Sequence, residues 1–258
     1  MSEGRLPNSL TGFIDRAGKT EWSIQLVNQT TSAPLERMLD KLFDGLAIET
    51  TEIDLPEAAD DLVVLVHDGE VVASSPLSIL KDTLLMVNSD LYKTGTRGIQ
   101  DINPPDIIME LSDTVFTLRG YPESDTEKLV LTLVSRYIEY QAWSHETGTL
   151  RSSFQRLSRL DDEQGTRSVY ERLGEIPGLD VHVYGVPDWG PPESMELTVH
   201  GVPDDEIMRH WFVVYKSGTT RSVGMLAAKT GPHTWDGYWT YDTDKIEAID
   251  QYISGNIE

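Results

Sequence analysis

Two charged residues near the middle of the chain have the spacing of side chains that act together. Arg136 and Glu139 lie three positions apart, which on a helix places both side chains on one face. The commoner interpretation of such a pair is a solvent-facing or half-buried ion pair. The functional interpretation is a charge pair at the rim of a pocket, and the sequence leaves both interpretations open.

Aromatic residues crowd the C-terminal third of the chain. Two strand-like segments, 211–215 and 238–241, carry most of them, and successive side chains of a strand point to opposite faces of its sheet. One set of rings therefore packs in the core, while the other lines a pocket or is covered by a helix or a partner. Packing of all the rings within the core and sheet is the competing interpretation. The residues concerned are Trp189, Trp211, Phe212, Trp235, Tyr238, Trp239 and Tyr241.

Residues suited to catalysis or metal binding form no established motif. Among the six histidines, His182 and His200 are placed to face each other across neighbouring strands, but no third ligand is in view. The chain has no cysteine, which removes thiolate nucleophiles and cysteine metal sites. The acidic pairs at 161–162 and 204–205 lie in polar segments typical of solvated surface. The sequence therefore predicts no enzyme, no catalytic residue and no metal site, and it indicates no cofactor.

The net charge of the chain limits its partners. The chain carries 43 acidic and 21 basic residues, a formal net charge of −22, with the acids spread over both halves. Such a surface repels itself at low ionic strength and stays soluble where salt screens it. We therefore expect a halophilic, cytoplasmic protein, the alternative being an acidic protein from an ordinary salt environment. The same charge argues against direct nucleic-acid binding and against an anionic membrane surface, and no apolar run has the length of a signal peptide or a spanning helix.

One helix and the strand after it are predicted to organise the fold. A capping-box pattern runs from Ser124 to Glu127, and Gly148 marks the end of the helical pattern. The segment 150–157 then reads as a strand that carries Gln155. The helix has an apolar stripe at helical spacing, so we expect it to be buried. The stripe consists of Leu131, Val134, Ile138 and Ala142.

Strands and helices alternate early in the chain, whereas strands cluster late. A helix at 9–17, a strand at 22–28, a helix from Pro34, a hairpin turning at Asp68–Gly69 and a helix from Ser75–Pro76 come first. The late strands are predicted at 180–184, 196–200, 211–215, 223–229 and 239–241, and Thr166 and Thr243 are predicted to cap helices. This order favours an α/β (α+β) fold with a mixed β-sheet and packed helices.

Five short segments, taken in order, resemble the DICT sensory domain of diguanylate cyclases and two-component proteins. They are SRYIE at 135–139, SFQR at 153–156, VY at 169–170, HWFVV at 210–214 and GYWTYD at 237–242. The resemblance implies a single sensor-like domain, in which residues 121–258 form a DICT-like sensory core. Residues 1–120 would form an N-terminal lobe (strand, helix, hairpin, helix) that shares the sheet. Within it, residues 10–43 resemble the opening helix and strand of the family, and residues 45–120 resemble the longer stand-alone proteins of salt-loving archaea.

The resemblance implies a non-catalytic signal-input module that binds a small ligand or a signalling partner. The alternative is a protein–protein interaction adaptor without a ligand, whose partner supplies the output domain. Homodimerisation would suit such a module, although nothing in the sequence places an interface. The predicted ligand site combines polar groups from the central helix and the next strand with rings from the late strands: Arg136, Glu139, Gln155, Trp211, Trp239 and Tyr241.

Overall fold

The computed structural model describes residues 7–17, 21–30, 48–80, 82–83, 104–113, 115–119, 126–162, 165–219 and 221–257. The helix predicted from Pro34 and the capping residue Ser124 lie outside these residues. Within the described part of the chain, no helix has the length and apolar character needed to cross a membrane.

A four-stranded sheet forms from the N-terminal part of the chain. Helix α1 (Leu10–Arg16) precedes strands β1 (Trp22–Val27), β2 (Glu49–Ile53), β3 (Leu62–His67) and β4 (Glu70–Pro76), whose order in the sheet is β2-β1-β3-β4. Strands β1 and β2 are parallel, and the other pairs are antiparallel. Asp68 and Gly69 both have positive φ angles at the β3–β4 turn, which confirms the predicted hairpin.

The rest of the chain builds a seven-stranded mixed sheet in the order β5-β11-β10-β9-β6-β7-β8. Strands β6, β7 and β8 are parallel to one another, and every other pair is antiparallel. The elements, in chain order, are α2 (Asp106–Glu110), β5 (Phe116–Arg119), α3 (Thr126–His145), β6 (Gly148–Arg156), α4 (Arg159–Asp162), α5 (Thr166–Gly174), β7 (Leu179–Val186), a 3-10 turn (Glu193–Met195), β8 (Thr198–Gly201), α6 (Asp205–Arg209), β9 (His210–Lys216), β10 (Val223–Gly231), β11 (Thr234–Thr240) and α7 (Thr243–Asn256).

Helix α3 lies across one face of the large sheet. Its four predicted stripe residues are completely buried, which confirms the predicted core helix. The main hydrophobic core continues from α3 to the inner face of the small sheet, where Ile24, Val63 and Leu65 belong to the same cluster. Helices α1 and α7 cover the opposite face of the large sheet.

The aromatic residues of the late strands divide between these two faces, as alternation predicts. Trp211, Trp235 and Trp239 pack on the α3 side, whereas Phe212 and Tyr238 pack against α1 and α7. The second set of rings is therefore covered by helices. The observed mixed sheets and helices confirm the predicted α+β fold class.

Several predicted details are wrong. Strands β1 to β4 do not share the large sheet: they form their own sheet, and among the residues up to 120 that the structure describes, only β5 joins the larger one. Strand β4 continues through Ser75 and Pro76, with helix only from residue 77. The final helix is capped by Asp242, whose carboxylate accepts two backbone N–H bonds, and Thr243 is the first helical residue. Gly165, at φ 92°, precedes α5, so Thr166 is likewise inside its helix.

Candidate functional site

A small cavity of about 50 Å³ lies between α3 and the large sheet, where β6 passes under the helix. Helices α3, α4 and α5 and strands β6, β9 and β11 all contribute to its wall. We call it the α3–β6 cavity. It is lined by Thr132, Ser135, Arg136, Glu139, Ser152, Ser153, Phe154, Gln155, Arg159, Thr166, Tyr170, Trp211, Val213 and Trp235.

The polar side of the cavity is a network centred on Glu139. Arg136 donates from one guanidinium nitrogen to Glu139 Oε2 at 2.8 Å and from another to Thr166 Oγ1 at 2.7 Å. The hydroxyl of Tyr170 donates to Glu139 Oε1 at 3.0 Å. Burial, together with the charge of Glu139, raises the pKa of Tyr170 well above its usual range, so this phenol stays protonated and keeps donating. Both carboxylate oxygens of Glu139 are therefore occupied by protein donors.

Strand β6 is irregular where it reaches the cavity. Its pairing with β7 shifts between Ser153 and Arg156, and Gln155 lies in the left-handed region at φ 54°. The side chain of Gln155 is engaged at both ends: its amide nitrogen donates to the His210 carbonyl at 3.0 Å, and its oxygen accepts from Arg159. A β-bulge of this kind re-aims side chains, and here it fixes the position of the Arg159 guanidinium.

Four aromatic rings form the apolar walls. Trp211 and Trp235 meet edge to face, with ring centroids 6.4 Å apart, and Phe154 meets Tyr170 in a similar way at 5.1 Å. These arrangements are favoured by the ring quadrupoles and hold the four rings in defined orientations. The walls are therefore rigid and flat.

Two serine hydroxyls that line the cavity have no hydrogen-bond partner among the described residues. Ser135 on α3 is 5 % exposed and Ser152 on β6 is 1 % exposed, and the Oγ atom of each is unpartnered. A buried hydroxyl without a partner costs about 1–3 kcal/mol. Both hydroxyls therefore keep unused hydrogen-bonding capacity where they line the cavity.

The structure brings four of the six predicted site residues together. Arg136 and Glu139 from α3, Gln155 from β6 and Trp211 from β9 all line the α3–β6 cavity. The pairing of Arg136 with Glu139 satisfies both interpretations offered by the sequence, since the ion pair is half-buried and also forms part of the cavity wall.

Trp239 is on the same face of the large sheet as the α3–β6 cavity but lies too many strands away to line it. Register places it in one row with Ser152, in the order Ser152, Val213, Met225, Trp239. Three strand spacings separate the ends of this row, roughly 14 Å. Trp239 is 1 % exposed and packs against Phe116, with ring centroids 5.4 Å apart, so it is a core residue.

Tyr241 lies outside the cavity because β11 has ended before it. The guanidinium of Arg221 stacks over its ring at 3.7 Å from the centroid, and burial together with nearby Tyr137 raises its pKa. Tyr241 lines a separate surface depression with Asp113 and Asp242. The expected convergence of all six residues is therefore wrong for Trp239 and Tyr241.

Sequence reasoning missed several cavity residues. The strand predicted at 239–241 leaves out Trp235, whereas β11 begins at Thr234. Alternation from Thr234 puts Trp235 and Trp239 on one face, and pairing through β10 puts Trp211 on that face too. Ser135 falls at helical spacing from Glu139, and Ser152 precedes the SFQR segment. No sequence signal marks a hydroxyl as unpartnered, because that property depends on tertiary contacts.

The histidines predicted to face each other do so at the far edge of the sheet. His182 Nδ1 and His200 Nε2 are 2.9 Å apart with stacked rings. The other nitrogen of His182 lies 2.8 Å from an Asp180 carboxylate oxygen. A carboxylate only accepts, so His182 donates there and accepts from His200. Across the described residues, no three His, Asp or Glu side chains are arranged to hold a metal ion.

Comparison with known proteins gives one family. Residues 106–230 match the family model DICT, described as a sensory domain in diguanylate cyclases and two-component systems. No curated protein and no solved structure matches the chain. The matched segment contains every residue of the α3–β6 cavity except Trp235. The family is sensory, not catalytic, and the match supports the DICT family of signal-transduction sensory domains for this part of the chain.

Proposed function

We propose that this protein is a signal-input module that binds a small molecule in the α3–β6 cavity. The observation that carries the proposal is the pair of buried, unpartnered hydroxyls of Ser135 and Ser152 inside an aromatic-walled cavity. Ligand sites in proteins combine apolar walls with a few convergent polar groups in this way. The sensory character of the matched family agrees with the proposal.

The backbone at Gln155 gives independent support. A non-glycine residue in the left-handed region costs of order 1–3 kcal/mol and persists where the surroundings impose it. Here the imposed conformation aims Gln155 at the His210 carbonyl and at Arg159. Such outliers cluster at ligand-binding and switch regions, and this one lies in the cavity wall.

The position of the cavity offers a route from binding to signal. Its wall is shared by α3, the β6 bulge and α5, so a bound molecule would contact three elements at once. A ligand shifts a conformational equilibrium only by its differential affinity for the two states. A movement of α5 relative to α3 would change the contacts of Thr166 and Tyr170 with the Arg136 and Glu139 pair. The cavity wall would then differ between the two states, and the ligand would bind one state more tightly than the other.

Thermal melts with a panel of small metabolites test the proposal on the whole chain. A ligand of the native state must raise the melting temperature, so we expect at least one class of compound to do so. Ser135→Ala should abolish that rise. Because the substitution removes an unpartnered buried hydroxyl, whose cost is about 1–3 kcal/mol, the free energy of unfolding without ligand should be unchanged or higher.

Ser144→Ala is the matched control. Ser144 lies on the same helix and is exposed, so both variants gain the same helix propensity from alanine. The control should keep the ligand response. The alternative, an interaction adaptor without a ligand, predicts no stabilisation by any compound in the panel, and that result would replace the present proposal.

We also propose that the protein works in a salt-rich cytoplasm. The net charge of −22 supports a cytoplasmic protein of a salt-rich cell, of the stand-alone archaeal type that the N-terminal lobe resembles. An acidic surface of this kind remains dispersed where molar salt screens its charges. Homodimerisation and the identity of the signalling partner stay predictions.

A further inference from the structure

The charges of the α3–β6 cavity do not balance, although the protein as a whole is strongly acidic. Arg136 pairs with Glu139 at 2.8 Å. Arg159 bonds only to the neutral amide of Gln155, and no carboxylate of the described residues lies within ion-pair distance of it. Among the described residues, the lining therefore carries one positive charge without a carboxylate partner, on the exposed side chain of Arg159, in a protein of net charge −22. A single cation in such surroundings attracts an anion and disfavours a cationic ligand.

The hydrogen-bonding groups left in the cavity include several donors, two hydroxyls and one guanidinium, of which only the hydroxyls can also accept. Glu139 and Gln155 use both ends of their side chains in protein contacts. The Ser135 and Ser152 hydroxyls are unpartnered, and Arg159 uses one of the five N–H groups of a guanidinium. A ligand group that satisfies these donors must present acceptor oxygens or nitrogens.

The size and shape of the cavity further limit the class of ligand that it can bind. The cavity volume of about 50 Å³ corresponds to roughly three or four water-sized positions, which suits a group of a few heavy atoms such as a carboxylate. Trp211, Trp235 and Phe154 present flat apolar walls next to it. A guanidinium matches the two oxygens of a planar carboxylate. A phosphate dianion would bring two negative charges to one uncompensated cation.

We propose that the ligand is a small planar monocarboxylate, an aromatic acid anion, whose carboxylate occupies the cavity and binds Arg159, Ser135 and Ser152, and whose ring lies outside the volume of about 50 Å³, against the aromatic residues of its rim. This inference rests on the proposed function, since it names the ligand class of the same cavity. Arg159 acts as the charge-recognising group, and Gln155 positions it from the β6 bulge.

Calorimetric titration with four small molecules, at one fixed KCl concentration, tests the proposed class of ligand. Benzoate has the proposed charge and shape, benzamide has the shape without the charge, benzamidine reverses the charge, and acetate lacks the ring. Benzoate should bind tightest, benzamide and acetate more weakly, and benzamidine not at all. Tighter binding of benzamidine or benzamide than of benzoate would overturn the proposal, as would binding of acetate, or of inorganic phosphate in a separate titration, that equals the binding of benzoate.

The variant Arg159→Gln tests whether benzoate binds at Arg159. Loss of a hydrogen bond to a charged group should weaken benzoate binding by roughly 10- to 100-fold and leave benzamide binding unchanged. Arg172→Gln is the control, because Arg172 is an exposed arginine of α5 outside the cavity, and it should bind benzoate like the unsubstituted protein. Equal benzoate affinity in the Arg159 and Arg172 variants would rule out Arg159 as the recognition group.

Failure of the ligand class and failure of the site give different results. Suppose that none of the four probes binds, but another compound raises the melting temperature and Ser135→Ala removes the rise. The monocarboxylate class is then wrong and the ligand site stands. If no compound of any class stabilises the protein, the proposed function itself fails.

Discussion

Glu139 is the residue on which the polar side of the cavity depends. Its side chain is only 5 % exposed, yet it carries a negative charge that Arg136 compensates at 2.8 Å. Tyr170 adds one neutral donor. A buried ion pair contributes little net stability, but removal of one partner leaves a charge without compensation, which is costly. Arg136 therefore has a structural role in addition to its place in the cavity wall.

Arg136→Gln should consequently destabilise the protein. We expect the free energy of unfolding to fall by about 3–5 kcal/mol, the usual cost of breaking a buried pair from one side. Urea denaturation at fixed KCl measures this loss. Arg172→Gln, on the exposed side of α5, should change the free energy of unfolding very little.

The double variant Arg136→Gln with Glu139→Gln separates charge from packing. It removes both charges, so most of the stability lost in the single variant should return. If the single Arg136→Gln variant is as stable as the Arg172 control, the pair does not hold this part of the fold. Arg136 would then be a ligand group only.

At the scale of single residues, the sequence predicted contacts better than it predicted strand ends. The spacing of Arg136 and Glu139 was sufficient to predict their pairing, because helical geometry fixes it. The sequence predicts Trp239 for the ligand site, whereas Trp235 lines the cavity. The reason is that alternation gives the face of a residue but not its distance from the site across the sheet. That distance depends on which strands are neighbours, and long-range pairing decides it.

Among the elements, α7 is attached to the sheet by charged groups within an otherwise apolar face. Asp250 of α7 is 4 % exposed. Its carboxylate accepts from Arg151 Nε of β6 at 2.6 Å and from Lys216 of β9. Arg151 also donates to the Tyr184 hydroxyl at 2.6 Å. The carboxylate thus links one helix directly to two strands of the large sheet, and Arg151 extends the link to a third strand, β7.

Asp250→Asn should weaken this attachment. Arg151, which is itself buried, would keep Tyr184 but lose its counter-charge, and we expect a loss of about 3–5 kcal/mol in the free energy of unfolding near pH 7. Urea denaturation of the whole chain measures it. Glu247→Gln is the control on the same helix: Glu247 is half exposed and lies 3.4 Å from Lys216, so its loss should have a small effect.

The difference in the free energy of unfolding between the unsubstituted protein and Asp250→Asn depends on pH through the pKa of Asp250. Burial acts to raise that pKa, but the hydrogen bonds from Lys216 and Arg151 outweigh it, and the pKa is lowered overall. A carboxyl with a lowered folded pKa stabilises the protein above its unfolded pKa of about 3.9, and this stabilisation is lost as the pH falls through the folded pKa. The gap between the unsubstituted protein and Asp250→Asn should therefore narrow below about pH 4. A constant gap down to pH 2 would show that Asp250 does not titrate with folding.

Elements with a clear period were predictable, and those without one were not. The α3 stripe predicted both the helix and its buried face, since Leu131, Val134, Ile138 and Ala142 are completely buried. Strand β2 has four exposed residues of five, so it shows no alternation and was missed. Its parallel pairing with β1 adds a fourth strand to the small sheet, and such pairing between distant segments leaves no local signal.

For the whole molecule, the acidic surface and the cavity have opposite electrostatic character. The chain has a net charge of −22, whereas the α3–β6 cavity has one uncompensated arginine. Charges on the surface are separated by water and are screened by salt, whereas partly buried pairs are screened much less. Salt should therefore reduce the repulsion between surface acids while leaving the Arg136–Glu139 and Arg151–Asp250 pairs largely intact.

The melting temperature should accordingly rise with salt. Surface repulsion acts over a Debye length of about 10 Å at 0.1 M salt and only about 3 Å at 1 M, so most of the gain should occur by about 1 M KCl. Exposed ion pairs such as that of Arg167 with Glu171 weaken over the same range, but each contributes little. The net effect is stabilisation, measured as the melting temperature between 0.05 M and 2 M KCl at about pH 7.

Choline chloride is the control that separates screening from specific cation binding. Its large cation screens charge as K⁺ does but does not fit a carboxylate site built for a small ion. Equal stabilisation by the two salts at equal concentration is expected if repulsion among the surface acids is the cause. Stabilisation by KCl alone would indicate bound potassium, and a melting temperature that does not change with either salt would mean that the net charge of −22 imposes no cost on folding.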